Sequence, residues 1–236
     1  MMGIIVYKFL NARMILLKVR IEFTYKTQKG TETVFFSEEM EVAKAVLLAE
    51  DIEKTGRLKS ISFVDQQDTT WMLKELKKYL KGVETEPHNV TIYFDGGFDL
   101  GTKQSGLGCV IYYDQNGKSY RLRKNALVDQ LETNNEAEYA ALNFALQEVE
   151  SLAVHHLPIK IVGDSQVVIN QLKGEWPVYE EVLSSWADRV DKKIADLGLT
   201  PQYELITRKG NQEADHLASQ ALKEIEIMGT IERTEK

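Results

Sequence analysis

Apolar and polar residues alternate from the start of the first patterned segment. In "LLKVRIEFTYKTQKGTETVFF", Leu17, Val19, Ile21, Phe23 and Tyr25 recur at a period of two, and Lys29-Gly30 supplies a turn into a second run. That pattern predicts a β-hairpin. Ser37 is expected to cap a helix with Glu38 and Glu39 in its first turn and Gly56 at its end. "LKSISFV" reads as a third strand. "TTWMLKELKKYLKG" reads as a helix, with Met72, Leu73, Leu76, Tyr79 and Leu80 on one face before Gly82. These elements make a small α+β domain over residues 14–82, and residues 1–13 are expected to be a leader ahead of it. The polar stretch "VETEPHNV", with Pro87, breaks the pattern and marks a linker at 83–89.

A second patterned region follows over 90–228. Strands are expected at 90–95, 106–114 and 118–124, joined by short polar turns such as "DQNG", which makes an antiparallel meander. After them come a helix (134–151), a strand (159–163), helices (165–173 and 179–197), a strand (202–208) and a helix (212–226). Strands that alternate with helices imply crossovers and parallel pairing. The expected fold class is therefore α/β, a mixed five-stranded sheet flanked by helices, with residues 229–236 as a tail.

Composition adds limits. The chain is 43% apolar and 28% charged, as in ordinary globular domains. No apolar run approaches the roughly 20 residues that span a bilayer, so no membrane partner is expected. The single cysteine, Cys109, excludes an internal disulfide and a thiolate zinc site, and fits a small buried side chain in a reducing, cytoplasmic setting. Charge is uneven. Residues 1–86 hold 14 Lys+Arg and 13 Asp+Glu, net +1; the remaining 15 of 29 and 23 of 36 leave residues 87–236 at −8. An acidic domain is a poor generic binder of nucleic acid.

The candidate chemistry lies in four carboxylates. Asp95 ends the apolar strand "TIYFD", where an unpaired buried carboxylate is costly. Glu138 shares a helix face with the small residues Ala141 and Ala145, so it faces the sheet. Asp164 follows "IKIVG" at the carboxyl end of a parallel strand, where open α/β sheets place ligands, and Ser165 after it caps the next helix. Asp215 opens the last helix, after Asn211. Each alone has an ordinary use as a turn residue, a surface charge or a dipole partner. Together they would converge without a lysine or arginine in the same motifs to pair them. Divalent cations relieve that repulsion, and Mg²⁺, a hard ion with oxygen ligands, suits an open carboxylate cluster. Two such ions about 4 Å apart can drive phosphodiester hydrolysis.

Four stretches resemble the type 1 branch of the ribonuclease H superfamily. "YFDGG" is similar to its first-strand motif, "TNNEAEYAAL" to its glutamate helix, "VGDSQVVINQLKGEW" to its second aspartate strand and "NQEADHLASQAL" to its last aspartate helix, all within 89–226. The resemblance implies that Asp95, Glu138, Asp164 and Asp215 are catalytic and hold two Mg²⁺ ions, with Mn²⁺ as a substitute. It also implies that Gly96, Gly97, Asn134, Asn135, Ser165 and Asn211 contact the nucleic acid. The reaction so implied is endonucleolytic cleavage of RNA in an RNA–DNA hybrid, leaving 5′-phosphate and 3′-hydroxyl ends. Three features depart from that pattern: "GFDLGTKQSGLG" follows the first aspartate, "TRKGNQEAD" has no histidine, and the basic protrusion is missing. The other reading is a weakly active or silent module that binds nucleic acid or protein, with the N-terminal domain supplying a partner. A proofreading exonuclease would need Asp-x-Glu on the first strand, and position 97 is glycine.

Overall fold

The computed structural model describes residues 17–234, so the expected leader at 1–13 lies outside the described residues. The chain forms two compact units that meet in sequence at Thr85 and Glu86.

The first unit contains β1 (Lys18–Lys26), β2 (Glu32–Phe36), β3 (Met40–Glu41), α1 (Val42–Lys54), β4 (Leu58–Asp65), β5 (Thr70–Trp71) and α2 (Leu73–Thr85). Its sheet runs β2-β1-β4-β5, all antiparallel, with β3 also paired to β1. The period of two in β1 buries Val19 and Ile21 completely, against Ala45, Ala49, Phe63 and Leu76. Ser37 does not cap α1, which starts five residues later. Its hydroxyl accepts from the Ile21 N–H at 2.8 Å and donates to the Glu38 carbonyl, holding β3 against β1. Asp65, a buried carboxylate of this unit, is satisfied locally by the Gln67 and Thr69 N–H groups and the Trp71 indole. Those donations outweigh desolvation and lower its pKa.

The second unit contains β6 (His88–Phe98), β7 (Ser105–Gln115), β8 (Lys118–Val128), α3 (Asn134–Ser151), β9 (Pro158–Gly163), α4 (Gln166–Leu172), α5 (Glu181–Asp196), β10 (Thr200–Leu205), a 3₁₀ turn (Arg208–Gly210), α6 (Gln212–Ala221) and β11 (Met228–Arg233). The sheet order is β10-β9-β6-β7-β8-β11. β6, β7 and β8 form the expected antiparallel meander, and β9 and β10 add in parallel. A sixth strand replaces the expected tail: α6 ends at Ala221, Glu224 turns the chain at φ +58°, and β11 pairs antiparallel with β8. All six β11 residues are exposed, and such an edge strand lacks the buried alternation that marks a strand in sequence.

Two glycine contacts fix how the layers meet. Gly96 faces α3: a Cβ there would lie 2.1 Å from the Ala137 carbonyl carbon. Gly108 faces α6: its Cβ would lie 2.4 Å from the Ala214 oxygen and 2.6 Å from the Ala218 nitrogen. Asp95 pairs directly with Gly108, so Asp95 shares the α6 face. Gly108→Ala is therefore expected to destabilise the fold by about 1–3 kcal/mol or more, since helix backbone cannot yield as a side-chain tip can. Urea unfolding checks this, and an unchanged midpoint would contradict the packing described.

Candidate active site

The site forms where the ends of β6 and β9 meet the first turns of α3 and α6. Asp95 does not end in a turn, because β6 continues through Gly96 and Gly97 to Phe98. Glu138 is delivered by the start of α3, which a capping box fixes: the Thr133 hydroxyl accepts from Glu136 N–H at 3.2 Å, and the Glu136 carboxylate accepts from Thr133 N–H at 3.1 Å. The close approach at Gly96 then sets the first turn of α3 against β6. Asp164 leaves the end of β9, ahead of α4, whose cap is Ser165 accepting from Val168 N–H.

Three of the four carboxylates come together. Asp95, Glu138 and Asp164 each offer an oxygen within 4.8 Å of the others, with Asp95 and Glu138 buried. Burial first, then the charges of Asp164 and Asp215, raise the Asp95 pKa to about 7, against the opposing pull of Arg208. Burial first, then Asp95 and Asp164, raise Glu138 to about 9, although the Gly96 N–H and Arg208 act the other way. Glu138 Oε2 is buried with no hydrogen-bond partner. A lone protonated glutamic acid in such a place is poorly satisfied, and an oxygen-only set of this kind fits a hard divalent cation.

Asp215 lies outside that triplet. Arg208 donates to its Oδ1 from Nη2 at 2.7 Å and from Nε at 3.2 Å. No lysine or arginine within the four motifs pairs with these carboxylates, but Arg208, just ahead of the last motif in the 3₁₀ turn before α6, does. Its side chain is 82% exposed, so the ion pair is screened and weak.

The residues expected to touch nucleic acid divide by burial. Asn134 is exposed and its Oδ1 accepts from Phe98 N–H at 3.3 Å, while Asn135, Ser165 and Gly97 are half-buried. Gly96 is buried against α3, where a Cβ would strike the Ala137 backbone. Asn211 is 1% exposed. Its amide donates to Asp164 Oδ1 at 2.7 Å and to the Phe94 carbonyl at 2.8 Å, so it is a positioning residue that aims Asp164. Asn211→Ala is expected to weaken divalent-ion binding about 10- to 100-fold, as loss of a ligand's supporting hydrogen bond does. Titration calorimetry reads this directly; an unchanged affinity would deny the positioning role.

Of the basic residues nearest in sequence to these motifs, most are already engaged. Arg121 and Arg123 pair with Glu213, Lys124 with Glu148 and Lys173 with Glu175, whereas Lys209 has no ion pair among the described residues.

Comparison with known proteins follows the same lines. Residues 93–221 match the family model described as reverse transcriptase-like. The uncharacterized protein YpeP of Bacillus subtilis (strain 168) is 46% identical over 196 residues, 82% of this chain and 86% of that protein. LC11-RNase H1, solved in complex with an RNA/DNA hybrid, is 26% identical with a TM-score of 0.50, over 58% of this chain and 98% of that one. The N-terminal RNase H domain of rv2228c from Mycobacterium tuberculosis is 25% identical with a TM-score of 0.50, over 58% of this chain and 94% of that one.

Proposed function

The chain belongs to the reverse transcriptase-like family of ribonuclease H-fold proteins, and from that premise we propose that it is a divalent-metal-dependent nuclease of ribonuclease H type, an endonuclease that cleaves the RNA strand of RNA–DNA hybrids. One observation carries the reading: Asp95, Glu138 and Asp164 hold three carboxylate oxygens within 4.8 Å, two of the residues buried and none of the three in an ion pair among the described residues.

In this reading those three residues hold the metal, and Asp215 joins them once Arg208 releases it. Mg²⁺ is the proposed ion, two per site, with Mn²⁺ able to substitute. When bound, the ions would supply activation of the attacking water and charge stabilisation at the leaving oxygen. The chain's own residues do the rest. Asn211 keeps Asp164 aimed at the cluster. Asn134, through Phe98 N–H, ties the end of β6 to the first turn of α3. Asn135, Ser165 and Gly97, each partly exposed and within three residues of a cluster carboxylate in the chain, are the proposed contacts to the hybrid, where hydrogen bonds to a 2′-hydroxyl would distinguish RNA from DNA. The reaction leaves 5′-phosphate and 3′-hydroxyl ends, and the proposed setting is the cytoplasm. The relative solved with an RNA/DNA hybrid supports the substrate class.

The direct experiment is cleavage of a labelled RNA–DNA hybrid with Mg²⁺ and with Mn²⁺, beside duplex DNA and duplex RNA. Hybrid-specific cleavage supports the reading. A folded protein that cuts none of the three with either ion would instead be a binding module on this fold.

A further inference from the structure

The sheet face that carries α6 is only partly covered. α6 has ten residues, about 15 Å of helix, and sits over Gly106 and Gly108. Farther along the same face, strand alternation and register set Thr91 and Tyr93 of β6, Tyr112 of β7, and Arg121 and Arg123 of β8 side by side. Tyr93, Tyr112 and Arg233 line an open cleft of about 450 Å³ walled by Asn211, Glu213 and Ala214 of the α6 start.

The polar groups there are unevenly satisfied. Glu213 forms ion pairs with Arg121 Nη1 and Arg123 Nε, each at 3.0 Å, and accepts from the Tyr112 hydroxyl at 2.9 Å. The Nε donors of both arginines are nevertheless buried with no aligned acceptor, and the buried Asn211 Oδ1 has no donor. Arg233 lies 4.9 Å above the Tyr112 ring and makes no ion pair among the described residues. The nearby Asp114, which feels its charge, is held by Ser119 and Asn89. Arg121 and Arg123 thus share one carboxylate, Glu213, and Arg233 over the Tyr112 ring has no ion pair among the described residues. Tyr93 and Tyr112 meet edge to face at 5.8 Å, which leaves ring surface beside those cations.

We propose that this cleft binds one nucleotide, with its phosphate on Arg233 and its base against Tyr93 and Tyr112. Arginine forks suit phosphate, and aromatic side chains on a sheet suit any base. The inference does not rest on the nuclease reading, since it uses none of the four carboxylates and not Asn211, which aims Asp164. The nucleotide could be a free monophosphate or one residue of a single strand; the chemistry is shared.

The test is calorimetry on the full chain in EDTA, which keeps metal-borne phosphate binding out of the signal. AMP, inorganic phosphate and a short single-stranded RNA are titrated against the wild type, Arg233→Ala and Tyr112→Leu. AMP is expected to bind one per chain, about tenfold or more tighter than phosphate alone, with the base contributing by stacking. Arg233→Ala, at an exposed position, is expected to weaken AMP about tenfold through loss of a charge-assisted contact. Competition assigns the source: RNA displacing AMP at lower concentration points to a strand, the reverse to a free nucleotide. No AMP binding by the wild type, phosphate binding as tightly as AMP, or AMP affinity unmoved by both substitutions would each overturn the site.

Discussion

Asp95→Asn is expected to reduce hybrid cleavage by at least about 10²- to 10³-fold, the scale on which removing a preorganised electrostatic contact at the reacting centre acts. Asp95 supplies one of the three carboxylate oxygens that meet within 4.8 Å, from a strand fixed by its pairing with Gly108 of β7. The fold is expected to survive. Asparagine matches the shape of the protonated acid, and the raised pKa of about 7 means that this state is already well populated near neutral pH. Cleavage rates with circular dichroism on the same samples check both halves. A folded variant that retains most of its activity would remove Asp95 from the chemistry.

The second large effect is on stability. Glu138 rises from 4.5 to about 9 and Asp95 from 3.8 to about 7 on folding, so in the metal-free protein each holds a proton that the unfolded chain has lost. That contribution is fully present below the unfolded values. It is lost as pH rises through the folded ones, since the native state binds more protons than the unfolded state across the interval. Metal-free stability is therefore expected to fall from about pH 3.8, the unfolded Asp95 value, to about pH 9, by at most about 1.4 kcal/mol per pH unit for each group. The two titrate as one cluster and share that fall. Divalent ions remove the need for the protons, so Mg²⁺ or Mn²⁺ should raise the melting temperature more at pH 8 than at pH 5.5, where protons compete for the same oxygens. Glu138→Gln should flatten the pH dependence and abolish most of the metal response. Equal metal stabilisation at both pH values would count against a protonated, buried cluster.

The second unit was largely legible because its function and its packing are written in the same residues. Asp95, Glu138 and Asp164 stand at strand ends or on a helix face with small neighbours, and periodicity places such positions next to the sheet. What escaped was set by geometry across distant segments. Gly96 looks like a turn residue beside Gly97, yet it is needed because α3 lies too close for any Cβ. Asn211 precedes a helix and looks like a cap or a surface contact. Only the fold shows it buried between Phe94 and Asp164. Arg208 lies seven residues before Asp215 but outside the helix that carries it, so helical periodicity does not join them; the 3₁₀ turn does. β11 was missed because an edge strand with both faces exposed carries no alternation to read. In the first unit, Ser37 lies in a helix-start pattern, but pairing of Met40 and Glu41 with β1 delays the helix to Val42.

The most direct test of the carboxylate cluster as a metal centre is calorimetric titration of the metal-free protein with Mn²⁺ at pH 7.5, repeated in buffers of different ionisation enthalpy. Saturable uptake is expected, with release of about one proton per chain, because Glu138 must give up the one it holds before it can ligate. Asp95→Asn and Glu138→Gln should each abolish it. No Mn²⁺ uptake at millimolar concentration, or uptake that neither substitution alters, would contradict a metal-holding role for these side chains.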